Sequence, residues 1–246
     1  MKVTMLGATR GMGRALSRLL TERGDRLFLL GRDPEELDKA TRDLEVRAGN
    51  DHTFGHAHCD LEEPEGFATA LDHAVATLGG LDCVVVSAGI FQPQAELEEN
   101  ISATRRLLDV DFARTVEFCE QARRRLLAGG GGTLCVFSSV AGERGRKPVV
   151  IYGAAKAGLT RYLEGLDHKF RRQGLVTVCV KPGFVKTGLT AGLSPPPFAG
   201  EPDEVARRVL RAIDRGSPVV YAPAAWCWIM LVIRKLPRAV MRRIEF

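Results

Sequence analysis

The sequence lacks the features that mark several large classes of protein. None of its six cysteines forms a CxxC pair and most lie in apolar runs, which favours buried thiols in a reducing compartment over a disulfide framework. The first residues, MKVTMLGATRG, hold an apolar stretch too short for a secretory signal, so we expect a cytoplasmic protein. With 45% hydrophobic residues in a chain of 246, bulk disorder and collagen-like repeats are excluded.

The chain also lacks a charge excess outside its C-terminal end. The formal net charge is +5, and from Ala222 onward five basic residues are opposed by Glu245 alone, which leaves about +1 for the rest of the chain. Because acidic and basic residues nearly balance before Ala222, this part of the chain gives no electrostatic reason to expect a nucleic-acid partner. The basic character therefore belongs to the C-terminal segment.

Short apolar runs alternate with longer segments of helical periodicity. The predicted strands are Lys2–Leu6, Leu27–Leu30, His52–Cys59, Leu81–Ser87, Gly132–Ser138, Leu175–Val180 and Pro218–Tyr221. The predicted helices are Met12–Arg23, Pro34–Ala48 with Asp33 as N-cap, Glu65–Leu78, Glu96–Leu127, Ile151–Arg172 and Asp203–Arg215. This alternation predicts an α/β fold, a single Rossmann-type, doubly wound parallel sheet of seven strands with helices on both faces. Without a repeat or linker, we expect one domain.

Three glycines follow the first predicted strand and begin the first helix. Gly7, Gly11 and Gly13 stand in the run GATRGMG. Glycine at such a turn lets the backbone approach a pyrophosphate closely, while the amides of the helix N-terminus face the anion. At the first βα turn of a parallel α/β protein, the pattern predicts a dinucleotide site. A tight turn without a ligand does not account for three glycines in this spacing.

The GxxxGxG spacing resembles that of the short-chain dehydrogenase/reductase family, and further motifs follow in that family's order. Ser87-Ala88-Gly89 resembles its Asn-Ala-Gly, with Ser in place of Asn, and Ser139, Tyr152 and Lys156 match its catalytic Ser and Tyr-x-x-x-Lys. The resemblance covers residues from about 3 to 221 and implies a catalytic, dinucleotide-binding domain over 1–221. It implies cofactor contacts from Gly7, Thr9, Arg10, Gly11, Met12, Gly13, Arg32, Asp60, Leu61, Ser87, Ala88, Gly89, Tyr152, Lys156, Pro182, Gly183, Val185 and Thr187.

The end of the second predicted strand lacks the acid that bonds the ribose 2′-hydroxyl in NAD-specific relatives. Gly31 stands there and Arg32 follows it. A guanidinium attracts a 2′-phosphate in bidentate geometry, whereas a carboxylate would repel it. Arg10, inside the glycine turn, adds a second positive group on the same side. We therefore predict NADP(H), against the alternative that both arginines are solvated surface charges.

Tyr152 and Lys156 are four residues apart on a predicted helix, so both side chains point to one face. A phenol with a pKa of about 10 needs a nearby cation to exchange protons near neutrality, and Lys156 supplies it. The resemblance implies hydride transfer to a carbonyl carbon while Tyr152 protonates the developing alkoxide and Ser139 bonds the substrate oxygen. We expect Tyr152→Phe to abolish turnover and to keep cofactor binding.

Asp111 departs from the family pattern, which has Asn at that place in the helix after the fourth strand. The Asn kinks the helix and helps to hold a water that relays protons. A carboxylate accepts a bond from water or from Lys156, but it loses the amide donor. It would also raise the pKa of Lys156. We expect Asp111 to act with the catalytic residues and to change the pH profile.

Three histidines, His52, His56 and His58, lie close to Asp60 and suggest a metal site at first sight. They also suit a strand that leads to the adenine pocket, since His56 and His58 share one face of it. We expect no metal.

The C-terminal segment, 222–246, is apolar and then basic. Ala222–Ile233 is too short to span a bilayer, and the residues after it alternate basic and apolar side chains around Pro237. Such a composition suits an interfacial segment on an anionic surface, with Trp226 and Trp228 at the headgroup boundary. The alternative is a segment that covers the substrate cleft or a partner subunit.

Pro218–Arg243 and Lys181–Thr187 resemble the end of one branch of the family, the decaprenylphosphoryl-2-keto-ribose reductases. This resemblance implies a keto-sugar on a polyprenyl phosphate as substrate, at the inner face of the membrane, with the apolar loop Leu189–Phe198 as part of a lid. We therefore expect a reductase of a hydrophobic or lipid-linked ketone. A reductase of a soluble or acyl 3-oxo compound and a non-catalytic NADP-binding scaffold stay open. Family resemblance also implies a homodimer or homotetramer.

Overall fold

The computed structural model describes residues 1–48, 54–192, 194–196 and 198–244. Within these ranges seven strands form one parallel sheet in the order β3-β2-β1-β4-β5-β6-β7. The strands are β1 (Lys2–Leu6), β2 (Arg26–Gly31), β3 (Phe54–His58), β4 (Cys83–Val86), β5 (Gly132–Phe137), β6 (Leu175–Pro182) and β7 (Val219–Ala222). The strand order reverses between β1 and β4, which opens a crevice at the carboxyl ends of these strands. The predicted single parallel sheet of seven strands is confirmed.

Helices cover both faces of the sheet. They are α1 (Gly11–Glu22), α2 (Pro34–Ala48), α3 (Phe67–Leu78), α4 (Gln94–Glu99), α5 (Ile101–Leu108), α6 (Thr115–Ala128), α7 (Val150–Phe170), α8 (Pro202–Arg215), α9 (Ala225–Ile233) and α10 (Arg238–Met241). The apolar faces of α1, α2 and α8 pack on one side of the sheet, and those of α3, α6 and α7 on the other. The central strands β1, β4, β5 and β6 are buried on both sides, which is why they consist largely of continuous apolar runs rather than alternating ones.

The single long helix predicted over Glu96–Leu127 is wrong. Asn100 ends α4 and caps α5, since its side chain accepts a hydrogen bond from the Ala103 amide at 3.0 Å. Between α5 and α6, Asp109–Arg114 forms a π-helical segment. The Thr115 hydroxyl donates to the Val110 carbonyl at 2.7 Å, so a side chain stabilises the wider turn. Apolar periodicity alone does not reveal these two interruptions.

Other helix and strand ends agree with the sequence to within a few residues. Asp33 caps α2, because its carboxylate accepts from the Glu35 and Glu36 amides at 3.1 and 3.2 Å. The predicted third strand starts at His52, which lies outside the described residues, and the strand as described begins at Phe54.

The C-terminal segment folds back onto the body of the protein. Trp226, Met230 and Ile233 on α9 are buried against Val140 and Tyr221. No helix within the described ranges is long and apolar enough to cross a bilayer.

Candidate active site

The glycine turn between β1 and α1 packs tightly against the end of β4. Gly7 has a φ of +96°, and a Cβ atom there would lie 2.5 Å from the Ala88 amide nitrogen. A Cβ atom at Gly13 would lie 2.2 Å from the Gly7 carbonyl oxygen. The Ser87 hydroxyl is within hydrogen-bond distance of the Leu6 and Gly7 carbonyl oxygens, at 3.2 and 3.0 Å. Ser87 thus fastens the turn to β4 although it replaces the Asn of the family.

A cavity of about 180 Å³ opens beside this turn, at the carboxyl ends of β1, β2, β3 and β4. It brings together these predicted cofactor contacts: Gly7, Thr9, Arg32, Asp60, Leu61, Ala88 and Gly89. Because no side chain fits at Gly7, bare backbone borders the cavity at this turn. A border of this kind suits the pyrophosphate of a dinucleotide.

The remaining predicted contacts lie around this cavity or away from it. Gly11 approaches the loop after β6, since a Cβ atom on it would lie 3.2 Å from Thr187 Cγ2. Met12 packs against the hydrophobic core beneath α1. Arg10 points outward with 77% of its side chain exposed, and its guanidinium lies 3.6 Å from the Glu36 carboxylate.

Ser139, Tyr152 and Lys156 lie together at the carboxyl end of β5. Ser139 begins the short 3₁₀ turn Val140–Glu143, and its hydroxyl accepts from the Ala141 amide at 3.0 Å. Tyr152, in the first turn of α7, lies beside the Ser139 side chain. Lys156 follows one turn later, with its Nζ 5.5 Å from the centroid of the Tyr152 ring. Helical spacing places both groups on the face of α7 that is turned toward Ser139.

Asp111 reaches this group from the π-helical segment. Its Oδ2 lies 3.2 Å from Lys156 Nζ, and the two residues are 1% and 4% exposed. Its Oδ1 accepts from the Ile90 amide at 2.8 Å. Gly89 leaves room for the pair, because a Cβ atom there would lie 2.9 Å from Asp111 Oδ1 and 3.4 Å from Lys156 Nζ.

This pairing sets the electrostatics of the site. Burial, the largest influence, would lower the pKa of Lys156, but Asp111 and Tyr152 together outweigh burial and raise that pKa above its usual value. Burial raises the pKa of Tyr152, the Lys156 cation lowers it and Asp111 raises it, with a net shift upward. Tyr152 is therefore held in its protonated form near neutral pH.

The segment after β6 completes the site, and α9 covers it. The backbone at Gly183 lies directly under the Trp226 indole, since a Cβ atom at Gly183 would be 2.0 Å from Trp226 Nε1. Val185 is buried and pairs with Gly200, and Thr187 caps the next short turn. The sequence predicted Gly183, Val185 and Thr187 as contacts, but it gave no indication that Trp226 seals this segment.

A buried polar cluster around Glu143 was missed by the sequence analysis. The Glu143 carboxylate accepts from Lys181 Nζ at 2.5 Å and from the Tyr221 hydroxyl at 2.9 Å, and it lies 3.4 Å from the Arg234 guanidinium. Burial opposes its ionisation, but Lys181, Tyr221 and Arg234 together outweigh burial and lower the pKa of Glu143. The cluster ties the turn after Ser139 to β6, β7 and α9. Its members are far apart in the sequence and share no motif.

The histidines make ordinary contacts. His56 Nδ1 lies 3.1 Å from the Thr41 hydroxyl, and His58 Nε2 lies 3.2 Å from the Glu63 carboxylate. His52 lies outside the described residues. No group of side chains suited to hold a metal ion occurs in the part of the chain that the structure describes.

A sequence profile of the family described as short chain dehydrogenase matches residues 2–197. The chain belongs to this family. Its members bind a nicotinamide cofactor, NAD or NADP, and interconvert alcohol and carbonyl groups, so the protein is an oxidoreductase of that class. The bare backbone at Gly7, which lines the cavity, fits such a cofactor.

Relatives of this chain cover most of its length. An uncharacterized oxidoreductase of Mycobacterium tuberculosis is 30% identical over 98% of this chain and 96% of the relative. A cis-4-hydroxycyclohexanecarboxylate dehydrogenase of Sinomonas cyclohexanicum is 31% identical over 88% of this chain and 90% of the relative. The carbonyl reductase family member 4 of Xenopus tropicalis is 28% identical over 88% of this chain and 91% of the relative.

Solved structures show the same fold. A short-chain type dehydrogenase/reductase from Mycobacterium ulcerans superposes with a TM-score of 0.84 over 98% of this chain and 97% of that one. The two sequences are 20% identical, so this likeness concerns the fold alone.

Proposed function

We propose that the protein is an NADPH-dependent carbonyl reductase that acts on a hydrophobic or lipid-linked ketone. The observation that carries the reaction is the group of Ser139, Tyr152 and Lys156, in which the buried Lys156 places its Nζ 5.5 Å from the centroid of the Tyr152 ring. A protonated phenol beside a buried cation is suited to give a proton to a developing alkoxide. Asp111 fixes the position of Lys156.

Each residue has a distinct role in this proposal. Tyr152 holds the proton that the substrate oxygen receives, and Ser139 orients that oxygen by a hydrogen bond. Lys156 stabilises the phenolate left on Tyr152, and Asp111 keeps Lys156 charged despite its burial. The bound nicotinamide cofactor supplies the hydride. The lining of Gly7, Gly13 and the loop around Thr187 would hold that cofactor.

Support for NADPH over NADH comes from the end of β2. Gly31 and Arg32 line the cavity, so a guanidinium stands where an NAD-specific site has a carboxylate. The nearby Glu62 carboxylate is paired with Arg106 through two bonds of 2.8 and 2.6 Å, which reduces its repulsion of a phosphate. Arg32 carries this preference more than Arg10, because Arg10 is already paired with Glu36.

Support for a hydrophobic or lipid-linked substrate comes from α9. Its inner side covers Gly183, whereas Trp228 and Val232 on its outer side are 72% and 62% exposed. A helix is about 10 Å thick, so an apolar surface lies one helix away from the substrate end of the site. The basic residues after Ile233 suit an anionic membrane surface. We propose that 222–246 works both as a cover of the site and as a peripheral contact with the cytoplasmic face of the membrane, with a polyprenyl-phosphate keto-sugar as the candidate substrate.

A second candidate is the reduction of a soluble or acyl 3-oxo compound. It is favoured by the relative named cis-4-hydroxycyclohexanecarboxylate dehydrogenase, whose named compound is a small hydroxy acid. In either case we expect a homo-oligomer formed through α6, α7 and the segment between α5 and α6. Leu108 and Phe112 are each 37% exposed there, and the Phe112 ring lies against Gly158 of α7.

The two candidates are separated by kcat/KM for a series of ketones with lengthening alkyl chains, assayed with NADPH and phospholipid vesicles. We expect the double variant Trp228→Ser, Val232→Ser to lose kcat/KM on the longest ketones and to keep it on the shortest. The control is Val46→Ser, which changes an apolar side chain 87% exposed on α2, far from the site. Equal loss at every chain length, or no loss, would favour the soluble substrate.

A further inference from the structure

Three arginines line a groove at the open edge of the sheet, away from the active site. Arg208, Arg211 and Arg215 follow one another on α8 at helical spacing, so their side chains leave the helix on one side. The groove has a volume of about 390 Å³ and is bounded by the edge strand β7 and by Cys227 of α9. Arg211 and Arg215 are exposed.

The positive charge of this groove is uncompensated within the described residues. None of the residues that line it is acidic, and none of the three arginines takes part in an ion pair there. Arg208 Nε donates to the Tyr221 carbonyl oxygen at 2.9 Å, which holds that side chain against β7. By contrast, most arginines on α1 and α2, such as Arg18 and Arg42, face a carboxylate. A concave site with several guanidinium groups and no carboxylate favours a phosphate.

The groove is continuous with the exposed apolar side of α9. Cys227 borders the groove and Trp228 follows it, with Leu231 and Val232 on the same outer surface. Beyond α9, Lys235 and the arginines of the last residues are exposed as well. Cationic and apolar side chains therefore share one side of the molecule, in the arrangement that binds phospholipid headgroups and the acyl chains beneath them.

We propose that Arg208, Arg211 and Arg215 form a site for the headgroup phosphates of an anionic membrane, and that the groove and α9 dock on the bilayer as one surface. This inference builds on the membrane contact proposed above for 222–246 and adds a second, separate element to it. A second copy of the chain fits the groove poorly, because a two-fold contact would place two sets of three arginines against each other. A free phosphate would explain the arginines but not the apolar surface beside them.

The test is cosedimentation with vesicles of phosphatidylcholine and phosphatidylglycerol, using the full chain and the double variant Arg211→Gln, Arg215→Gln. Arg208 is left in place because it supports β7. At about 1 kcal/mol for each arginine near an anionic surface, we expect binding to weaken about thirtyfold and to depend less steeply on salt concentration. The matched control is Lys39→Gln, Arg42→Gln, which removes the same charge from exposed residues of α2 at the opposite edge of the sheet.

Three results would overturn the inference. They are equal weakening by the groove variant and the control, no vesicle binding by the unaltered chain, and a groove variant that changes only the oligomeric state. A calorimetric titration with inorganic phosphate forms a further arm. Binding of phosphate without binding of vesicles would also overturn the inference, since the groove would then hold a free anion. Reduction of a short-chain ketone is expected to be unchanged in the groove variant, so failure of the reductase proposal would be seen separately.

Discussion

The two halves of the protein build their parts of the site by different means. Around β1 and β4, the cavity owes its shape to missing side chains, since Gly7, Gly13 and Gly89 leave no space for a Cβ atom. Around β6, β7 and α9, large or charged side chains shape the site instead. Trp226 packs on Gly183, and Glu143 is bonded to Lys181 of β6 and Tyr221 of β7.

This difference follows from what each half has to recognise. A pyrophosphate is the same in every dinucleotide, and backbone groups near a helix N-terminus suffice to bind it. A substrate differs from one relative to another, and its selection requires side chains whose size and charge can vary. The N-terminal half therefore carries the cofactor site, and the C-terminal half carries the features from which we infer the substrate. The following predictions test this division.

The largest expected effect is at Tyr152, where the two halves meet. Tyr152→Phe removes the proton donor and leaves the ring in place, so we expect kcat to fall by about 10²- to 10⁴-fold with little change in the Kd of the cofactor. Steady-state reduction of a ketone and fluorescence titration with NADPH would measure the two quantities.

Tyr162 offers a matched control on the same helix. Its hydroxyl donates to the Glu120 carboxylate at 2.8 Å, away from the site. Tyr162→Phe should cost about 1 kcal/mol of stability and leave kcat unchanged. Comparable loss of kcat in both variants would refute the role of Tyr152.

The second prediction compares a glycine in each half. Gly13→Ala sets a methyl group against the Gly7 carbonyl, which belongs to the main chain and has little room to move. We expect a loss of about 1–3 kcal/mol of stability together with weaker cofactor binding. Gly183→Ala meets the Trp226 side chain instead, so we expect α9 to detach and proteolysis of the C-terminal segment to accelerate, with a smaller fall in Tm.

Gly66→Ala is the control for both variants, because no atom lies within 4 Å of the added methyl group. It should change stability by less than about 0.5 kcal/mol. Two results would contradict the contrast between a half shaped by backbone and a half shaped by side chains. One is that Gly183→Ala weakens cofactor binding as strongly as Gly13→Ala, and the other is that Gly183→Ala leaves α9 in place.

The same contrast explains how much the sequence could predict. The strands and the glycine turn were predictable because continuous apolar runs and a GxxxGxG spacing are local patterns. The π-helical segment before Thr115 was not, since it depends on a side-chain bond to the Val110 carbonyl. Gly89 was predicted as a cofactor contact, but the room it leaves for Asp111 and Lys156 is visible only in three dimensions.

In the C-terminal half, local sequence patterns predict less of the structure. The sequence of α9, AWCWIMLVI, is apolar all round, so nothing in it separates the buried Trp226 from the exposed Trp228. In the Glu143 cluster, Lys181 lies 38 positions after Glu143 in the sequence and Tyr221 lies 78 positions after it. The arginines of the groove do carry a local pattern, because positions 208, 211 and 215 follow the period of a helix, but this spacing alone does not show that they share a groove.

The third prediction concerns the cofactor preference. Arg32→Gln removes the charged group that we expect to bind the 2′-phosphate, a contact worth about 1.5–3 kcal/mol. The Kd for NADPH should rise by roughly ten- to a hundredfold, and the Kd for NADH should stay the same. Arg42→Gln, on the exposed side of α2, serves as the control. A parallel change in both Kd values would mean that Arg32 does not distinguish the cofactors.

The smallest expected effect is a shift in pH dependence at Asp111. Its negative charge raises the pKa of both Tyr152 and Lys156, so Asp111→Asn should lower both. Reduction needs protonated Tyr152, and the alkaline limb of its kcat profile should therefore move to lower pH. Oxidation of the alcohol needs deprotonated Tyr152. The acid limb of the kcat profile for oxidation should therefore also move to lower pH.

Asp109→Asn removes the same charge two residues away, from an exposed position, and should leave both limbs where they are. Some loss of stability is expected in Asp111→Asn alone, because buried Lys156 loses its ion-pair partner. A lower Tm without any movement of the pH limbs would show that Asp111 only holds the structure together. Joint movement of the reduction and oxidation limbs, with kcat retained at the optimum, would mean that the N-terminal half adjusts the proton donor as well as binding the cofactor.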